Sequence, residues 1–148
     1  MDRKEFINNC GFVCLSGALL SGVLQACSSI KIMSGKITRD NLLVQISDFE
    51  TRAGGKIFFK KYIVLQNDRL SYPICIYRNN EKDYAALWMR CTHQGAELQV
   101  FGDKLQCPAH GSEFNNQGGL QSGPADIKLR SFPVSIENNQ LKISLKAV

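Results

Sequence analysis

At 148 residues the chain has room for one domain and little more. With 44% hydrophobic and 21% charged residues it does not read as disordered or low-complexity. A formal charge of +5 suits solubility, an acidic partner or anionic headgroups. No arginine-rich stripe with interleaved aromatics accompanies it, which argues against nucleic acid.

The first 27 residues read as separate from the core. Asp2-Arg3-Lys4-Glu5 precedes an apolar run from Gly11 to Leu24. That length suits the h-region of a signal peptide and falls short of the ~20 apolar residues of a membrane span. The run ends in Leu24-Gln25-Ala26-Cys27, which resembles the bacterial lipobox, where a small residue precedes a cysteine that is lipidated and becomes N-terminal. Gln25 departs from the small residue usual at its position, and an uncleaved anchor helix is the alternative. Arg3-Lys4-Glu5-Phe6-Ile7 resembles the twin-arginine export signal, with lysine for the second arginine; such signals export proteins already folded around a cofactor. Together these resemblances imply a signal over 1–27, lipidation at Cys27, and a tether on the periplasmic side of a bacterial cell envelope. Residues 28–40 then form a linker or first strand, and 41–148 the domain.

That domain reads as all-β, built from several short antiparallel sheets. Leu42–Ile46 and Lys56–Gln66 are β-branched and aromatic runs separated by the turn signal Gly54-Gly55. Ser71–Arg78 and Tyr84–Arg90 flank the polar loop Asn79–Asp83. Glu97–Phe101 and Lys104–Cys107 are joined by Gly102-Asp103, a two-residue hairpin signal. Val134–Ile136 and Leu141–Leu145 pair across Asn138-Asn139, which tolerate positive φ. Only Ala125–Leu129 hints at helix.

The chain has two histidines, and each follows a cysteine closely: Cys91-Thr92-His93 and Cys107-Pro108-Ala109-His110. The hairpin between them sets both pairs on loops at strand ends, side by side. Of the six cysteines, Cys10 and Cys14 leave with the signal and Cys27 would carry lipid. Cys75, Cys91 and Cys107 remain, an odd count at dissimilar spacings, which is no disulfide framework. Two thiolates and two imidazoles fit either a structural Cys₂His₂ zinc site or a two-iron cluster with cysteines on one iron and histidines on the other. Zinc sites more often take paired ligands of one type from each element, so one cysteine and one histidine per loop leans toward the cluster.

The stretches Cys91-Thr92-His93-Gln94-Gly95 and Cys107-Pro108-Ala109-His110-Gly111-Ser112 closely resemble the two cluster-binding loops of the Rieske [2Fe–2S] family. Gly123-Pro124-Ala125 resembles that family's proline loop. The resemblance spans about Tyr72 to Leu145 and implies a Rieske-type fold with its cluster-binding part near 88–127. It implies a [2Fe–2S] cofactor with Cys91 and Cys107 on the inner iron and His93 and His110 on the outer, redox-active iron. Gly95 and Gly111 would let backbone N–H groups approach the sulfides, and the Ser112 hydroxyl would bond a bridging sulfide. Two departures stand out. The quinol-oxidising branch carries a second cysteine in each loop, joined as a disulfide, where this chain has Ala96 and Ala109; it also carries a tyrosine where this chain has Phe114.

The expected function is one-electron transfer, as an exported, membrane-tethered carrier or as the electron-transfer subunit of a larger oxidoreductase. A cytochrome or larger oxidoreductase subunit would be its partner. The alternatives are the small subunit of a cytochrome bc-type quinol-oxidising complex, or a structural zinc domain. A Rieske oxygenase needs a further iron held by two more histidines and a carboxylate, and the chain has no third histidine. Cys75, Trp88 and Lys60-Lys61 read as core thiol, core indole and solvated turn.

Overall fold

The structure, a computed structural model, describes residues 32–146; the expected export signal and Cys27 lie outside them. Among the described residues every regular element is a strand apart from one 3₁₀ turn, Ile46–Phe49. The central sheet has five strands in the order Ile32–Ser34, Tyr62–Gln66, Ile74–Arg78, Tyr84–Trp88 and Ser131–Phe132. Its first pair is parallel and the others antiparallel.

The middle strand explains why this sheet is central. Ile74, Cys75, Ile76 and Tyr77 are all buried, so both faces are covered and the run is apolar throughout rather than alternating. Successive side chains point to opposite faces. Cys75 and Tyr77 join a core with Leu87, Cys91, Cys107 and Phe114. Ile74 and Ile76 join another with Leu42, Phe49, Leu141 and Ile143.

Each face is covered by a four-stranded sheet. One runs Leu120–Ser122, Glu113–Asn115, Lys104–Gln106, Gln99–Phe101 and contains the expected Gly102-Asp103 hairpin, with Gly102 at φ 62°. The other runs Val134–Glu137, Gln140–Ser144, Asn41–Gln45, Lys36–Thr38, and its hairpin turns on Asn138 and Asn139 at φ 49° and 61°.

Two expectations fail. The run Lys56–Gln66 is not one strand: it breaks at Lys60-Lys61, where the Lys60 N–H donates to the Phe49 carbonyl (2.8 Å). Lys56–Phe59 instead folds back across Gly54-Gly55 onto Glu50–Ala53, a separate hairpin that leaves Ile57, Phe58 and Phe59 exposed. Residues 125–129 form no helix. Ala125 and Leu129 are both buried, and the Leu129 N–H goes to the Gly118 carbonyl (2.9 Å) instead of to a carbonyl one helical turn back.

The register fixes which end carries the Cys/His loops. Ile74 pairs with Trp88 and Arg78 with Tyr84, so Tyr72 and Cys91 leave the same end of the sheet. The exposed hairpin attaches near Tyr62 and Arg78, about 17 Å away along a five-residue strand.

Candidate metal centre

The two loops share one backbone plan. In each, the cysteine N–H donates to the carbonyl five residues on, Cys91 to Ala96 and Cys107 to Ser112, both at 2.8 Å. In each, the glycine four residues on donates back to the cysteine carbonyl, Gly95 to Cys91 and Gly111 to Cys107, both at 2.9 Å. Those glycines sit at φ 78° and 79°, a left-handed region that a side chain enters only with strain. The loops thus need glycine for their own conformation, a reason independent of any approach to a cofactor.

The plan sorts the four candidate ligands by type. Cys91 and Cys107 are buried, 1% and 2% exposed, and their thiols lie within hydrogen-bonding reach of each other. His93 and His110 are exposed, with ring centroids 5.1 Å apart and planes nearly perpendicular. Among the described residues no three His, Cys, Asp or Glu side chains converge on a single point as one metal ion would require. Two sulfurs inside and two imidazoles outside is the division that two irons need.

The electrostatics agree. Burial works to raise the Cys107 thiol, but the backbone N–H groups of His110 and Ala109 and the Cys91 thiol outweigh it, so the group is lowered from its ordinary value. Donors fixed around a sulfur favour its thiolate, the form that binds metal. Ser112 is fully buried, and its Oγ accepts the Ala125 N–H (3.0 Å). Its hydroxyl hydrogen meets no protein acceptor among the described residues. A buried donor of that kind fits a cluster sulfide.

No disulfide braces the loops: Cys75, Cys91 and Cys107 are free, and alanines stand at 96 and 109, where the resemblance noted in the sequence would place bridging cysteines. Hydrogen bonds to other segments brace them. The Tyr72 hydroxyl donates to the Gly95 carbonyl (2.6 Å), the Thr92 hydroxyl to the Ile127 carbonyl (2.8 Å), and the Ala125 N–H to Ser112. Sequence reasoning missed Tyr72 and Thr92, because their partners lie 23 and 35 residues away. Phe114 is fully buried in the adjoining core. Cys75 is buried as expected, and desolvation raises its thiol above the ordinary range, with the nearby Tyr77 hydroxyl acting weakly the other way. Trp88 is only half-buried: its ring meets Tyr72 edge-on at 5.4 Å, with Arg90 and Arg130 at 5.6 and 5.5 Å from its centroid.

The Rieske [2Fe–2S] domain family matches residues 55–133, more than half of the chain. The chain belongs to the Rieske [2Fe–2S] family. Its cofactor is therefore a Rieske-type cluster, which the donor set just described fits. Among curated relatives, a cytochrome b6-f complex iron-sulfur subunit 2 of Trichormus variabilis is 27% identical over 110 residues, 73% of this chain and 56% of the relative. The oxygenase component of dicamba O-demethylase from Stenotrophomonas maltophilia is 37% identical over 75 residues, 44% of this chain and 22% of that one. The chain spans about half the length of the first of these and less of the second. Among solved structures, the plasma membrane Rieske protein PetC3 of Synechocystis PCC 6803 superposes with TM-score 0.50 at 23% identity, covering 57% of this chain and 86% of that one. A complex of reduced oxygenase and oxidized ferredoxin in carbazole 1,9a-dioxygenase contains a chain with TM-score 0.54 at 24% identity, covering 74% and 96%. At such identities these superpositions show the Rieske fold.

Proposed function

We propose that this protein is a one-electron carrier in which Cys91 and Cys107 hold the inner iron and His93 and His110 the outer. The observation that carries the reading is the sorting of ligands: sulfurs sealed in the core, imidazoles side by side at the surface. When bound, the cluster supplies reversible one-electron chemistry. The chain's own residues do the rest. The core excludes water from the cysteines, the loops fix both imidazoles, and the exposed histidines form the edge at which a redox partner meets the protein.

In this reading the N-terminal segment exports the chain and Cys27 tethers it by lipid at the periplasmic face of a bacterial cell envelope. Its partner is a cytochrome or a larger oxidoreductase subunit. The lipobox-like Leu24–Cys27 stretch and the apolar run before it support the tether.

The test is an EPR-monitored redox titration of the full chain, produced with iron–sulfur assembly intact. The expected result is two irons and two sulfides per chain, a one-electron signal of low average g, and a midpoint of about +50 to +200 mV, inside the family range. His93→Ser and Cys107→Ser each abolish that signal. An EPR-silent protein carrying one zinc refutes the assignment.

A further inference from the structure

Beside the ligand loops lies a groove of about 600 Å³ that cluster binding does not use. Trp88, Thr92 and Ile127 line it together with three cations, Arg90, Lys128 and Arg130. Thr92 stands between the candidate ligands Cys91 and His93, so the groove abuts the loop that presents His93.

Its composition points to a protein partner of one charge. Ile127 is 59% exposed and, with the half-buried Trp88, gives the groove apolar surface. Arg90 and Arg130 pack against the Trp88 ring, and Arg130 also lies 4.8 Å from the Phe132 centroid. Guanidiniums held by aromatic rings lose little freedom on docking. Tryptophan and arginine are also the residues that dominate protein interfaces. All three cations are exposed, and none closes an ion pair among the described residues. The nearby acids do not neutralise them. Glu97, bridged to Arg90 through the backbone, and Asp126, in the adjoining loop, both stay outside ion-pair distance of the three cations.

We infer that this groove is the docking site of an acidic redox protein, whose carboxylates meet Arg90, Lys128 and Arg130 and set its redox centre against the histidine edge. The inference rests on the electron-transfer reading above. In the step it serves, one electron passes from the reduced protein to the oxidised partner's one-electron centre, with no atom or proton transferred. A second group of cations, Lys56 on the exposed hairpin and Lys60 and Lys61 just after it, lies at the far end of the central sheet and supplies the control.

The experiment mixes the reduced, cluster-loaded full chain with each of three oxidants in a stopped-flow instrument. The oxidants are a blue-copper protein of net negative charge, a cytochrome c of net positive charge, and ferricyanide. The acidic protein is expected to react faster than the basic one, at a rate that falls with added salt. The triple variant Arg90→Gln/Lys128→Gln/Arg130→Gln slows it about tenfold, whereas Lys56→Gln/Lys60→Gln/Lys61→Gln changes it less than about twofold. Lys128→Gln alone, which removes no contact with an aromatic ring, slows it about threefold and stands in for the triple variant if that one loses its EPR signal.

Equal slowing by both triple variants would reduce the effect to net charge and overturn the inference. So would a groove variant that slows ferricyanide but not the acidic protein, since the groove would then take small anions. If the reduced wild-type protein passes an electron to none of the three oxidants, the electron-transfer reading itself fails. That outcome is distinct from a loss of selectivity.

Discussion

Ser112→Ala separates a structural role from a redox role at one atom. The hydroxyl accepts the Ala125 N–H at 3.0 Å in a fully buried position, and its own hydrogen is left to donate toward the candidate centre. Removing it strands a buried backbone donor, at a cost of about 1–3 kcal/mol of stability. It also removes a donor that favours the more negative, reduced state. A differential hydrogen bond of ~1 kcal/mol corresponds to roughly 40–50 mV for one electron, so the midpoint falls by about that much. Urea unfolding reads the first effect and an EPR-monitored titration the second. Ser112→Thr, which keeps a hydroxyl, restores most of the midpoint. A loss of stability with a midpoint shifted by less than about 15 mV, or shifted upward, refutes the redox role and leaves Ser112 a staple for Ala125.

Four further outcomes are expected. Tyr72→Phe loses the bond to the Gly95 carbonyl and lowers stability by about 0.5–1.5 kcal/mol in urea unfolding; no change would mean that water replaces the hydroxyl. Gly95→Ala forces a side chain to φ 78°, with its Cβ 3.1 Å from the Arg90 guanidinium, and costs about 1–2 kcal/mol, read by thermal unfolding and by cluster absorbance per chain. Cys75, raised by burial, resists iodoacetamide in the native protein and reacts after denaturation. The same shift destabilises the fold in alkali: the thiol stays neutral when folded but ionises when unfolded above about pH 8.5, so stability present below that pH falls as pH rises. Tyr77, raised mainly by its own burial, acts in the same direction above its ordinary value near 10. Cys75→Val should therefore flatten the decline between about pH 8.5 and 10, and an unchanged slope would assign it to other groups.

The two Cys/His loops were legible because everything that builds them is local. Cys91 and Gly95, and Cys107 and Gly111, lie within one turn of chain, and Gly102-Asp103 announces the hairpin that sets the loops side by side. The strand Ile74–Arg78 was equally plain, since its stretch Ile74–Tyr77, buried on both faces, carries no charged residue. The hairpin Glu50–Phe59 was not, because strand reading looks for a buried face and this one has none. Glu113–Asn115 and Leu120–Ser122 are three residues each, too short for alternation to register, and the second is wholly exposed. The braces at Tyr72 and Thr92 carry no local signal at all; only the folded chain brings their partners near.

The absence of the loop-bridging disulfide explains why the segment 123–130 matters beyond covering the centre. A disulfide closing a loop of this size would contribute about 3 kcal/mol, mainly by restricting the unfolded chain. Three hydrogen bonds at about 1 kcal/mol each reach a similar sum, but they act only in the folded state and only while their partners stay docked. Two of the three, from Thr92 to Ile127 and from Ala125 to Ser112, end on that one segment. The buried side chains of Ala125 and Leu129 and the bond from Leu129 to Gly118 hold the segment in place. Ile127, Lys128 and Arg130 of the same segment line the basic groove. A partner seated there would therefore press on the element that staples both ligand loops, and docking would bear directly on the surroundings of His93 and of the Ser112 hydroxyl. A disulfide-braced pair of loops would be insulated from that pressure; this one is not.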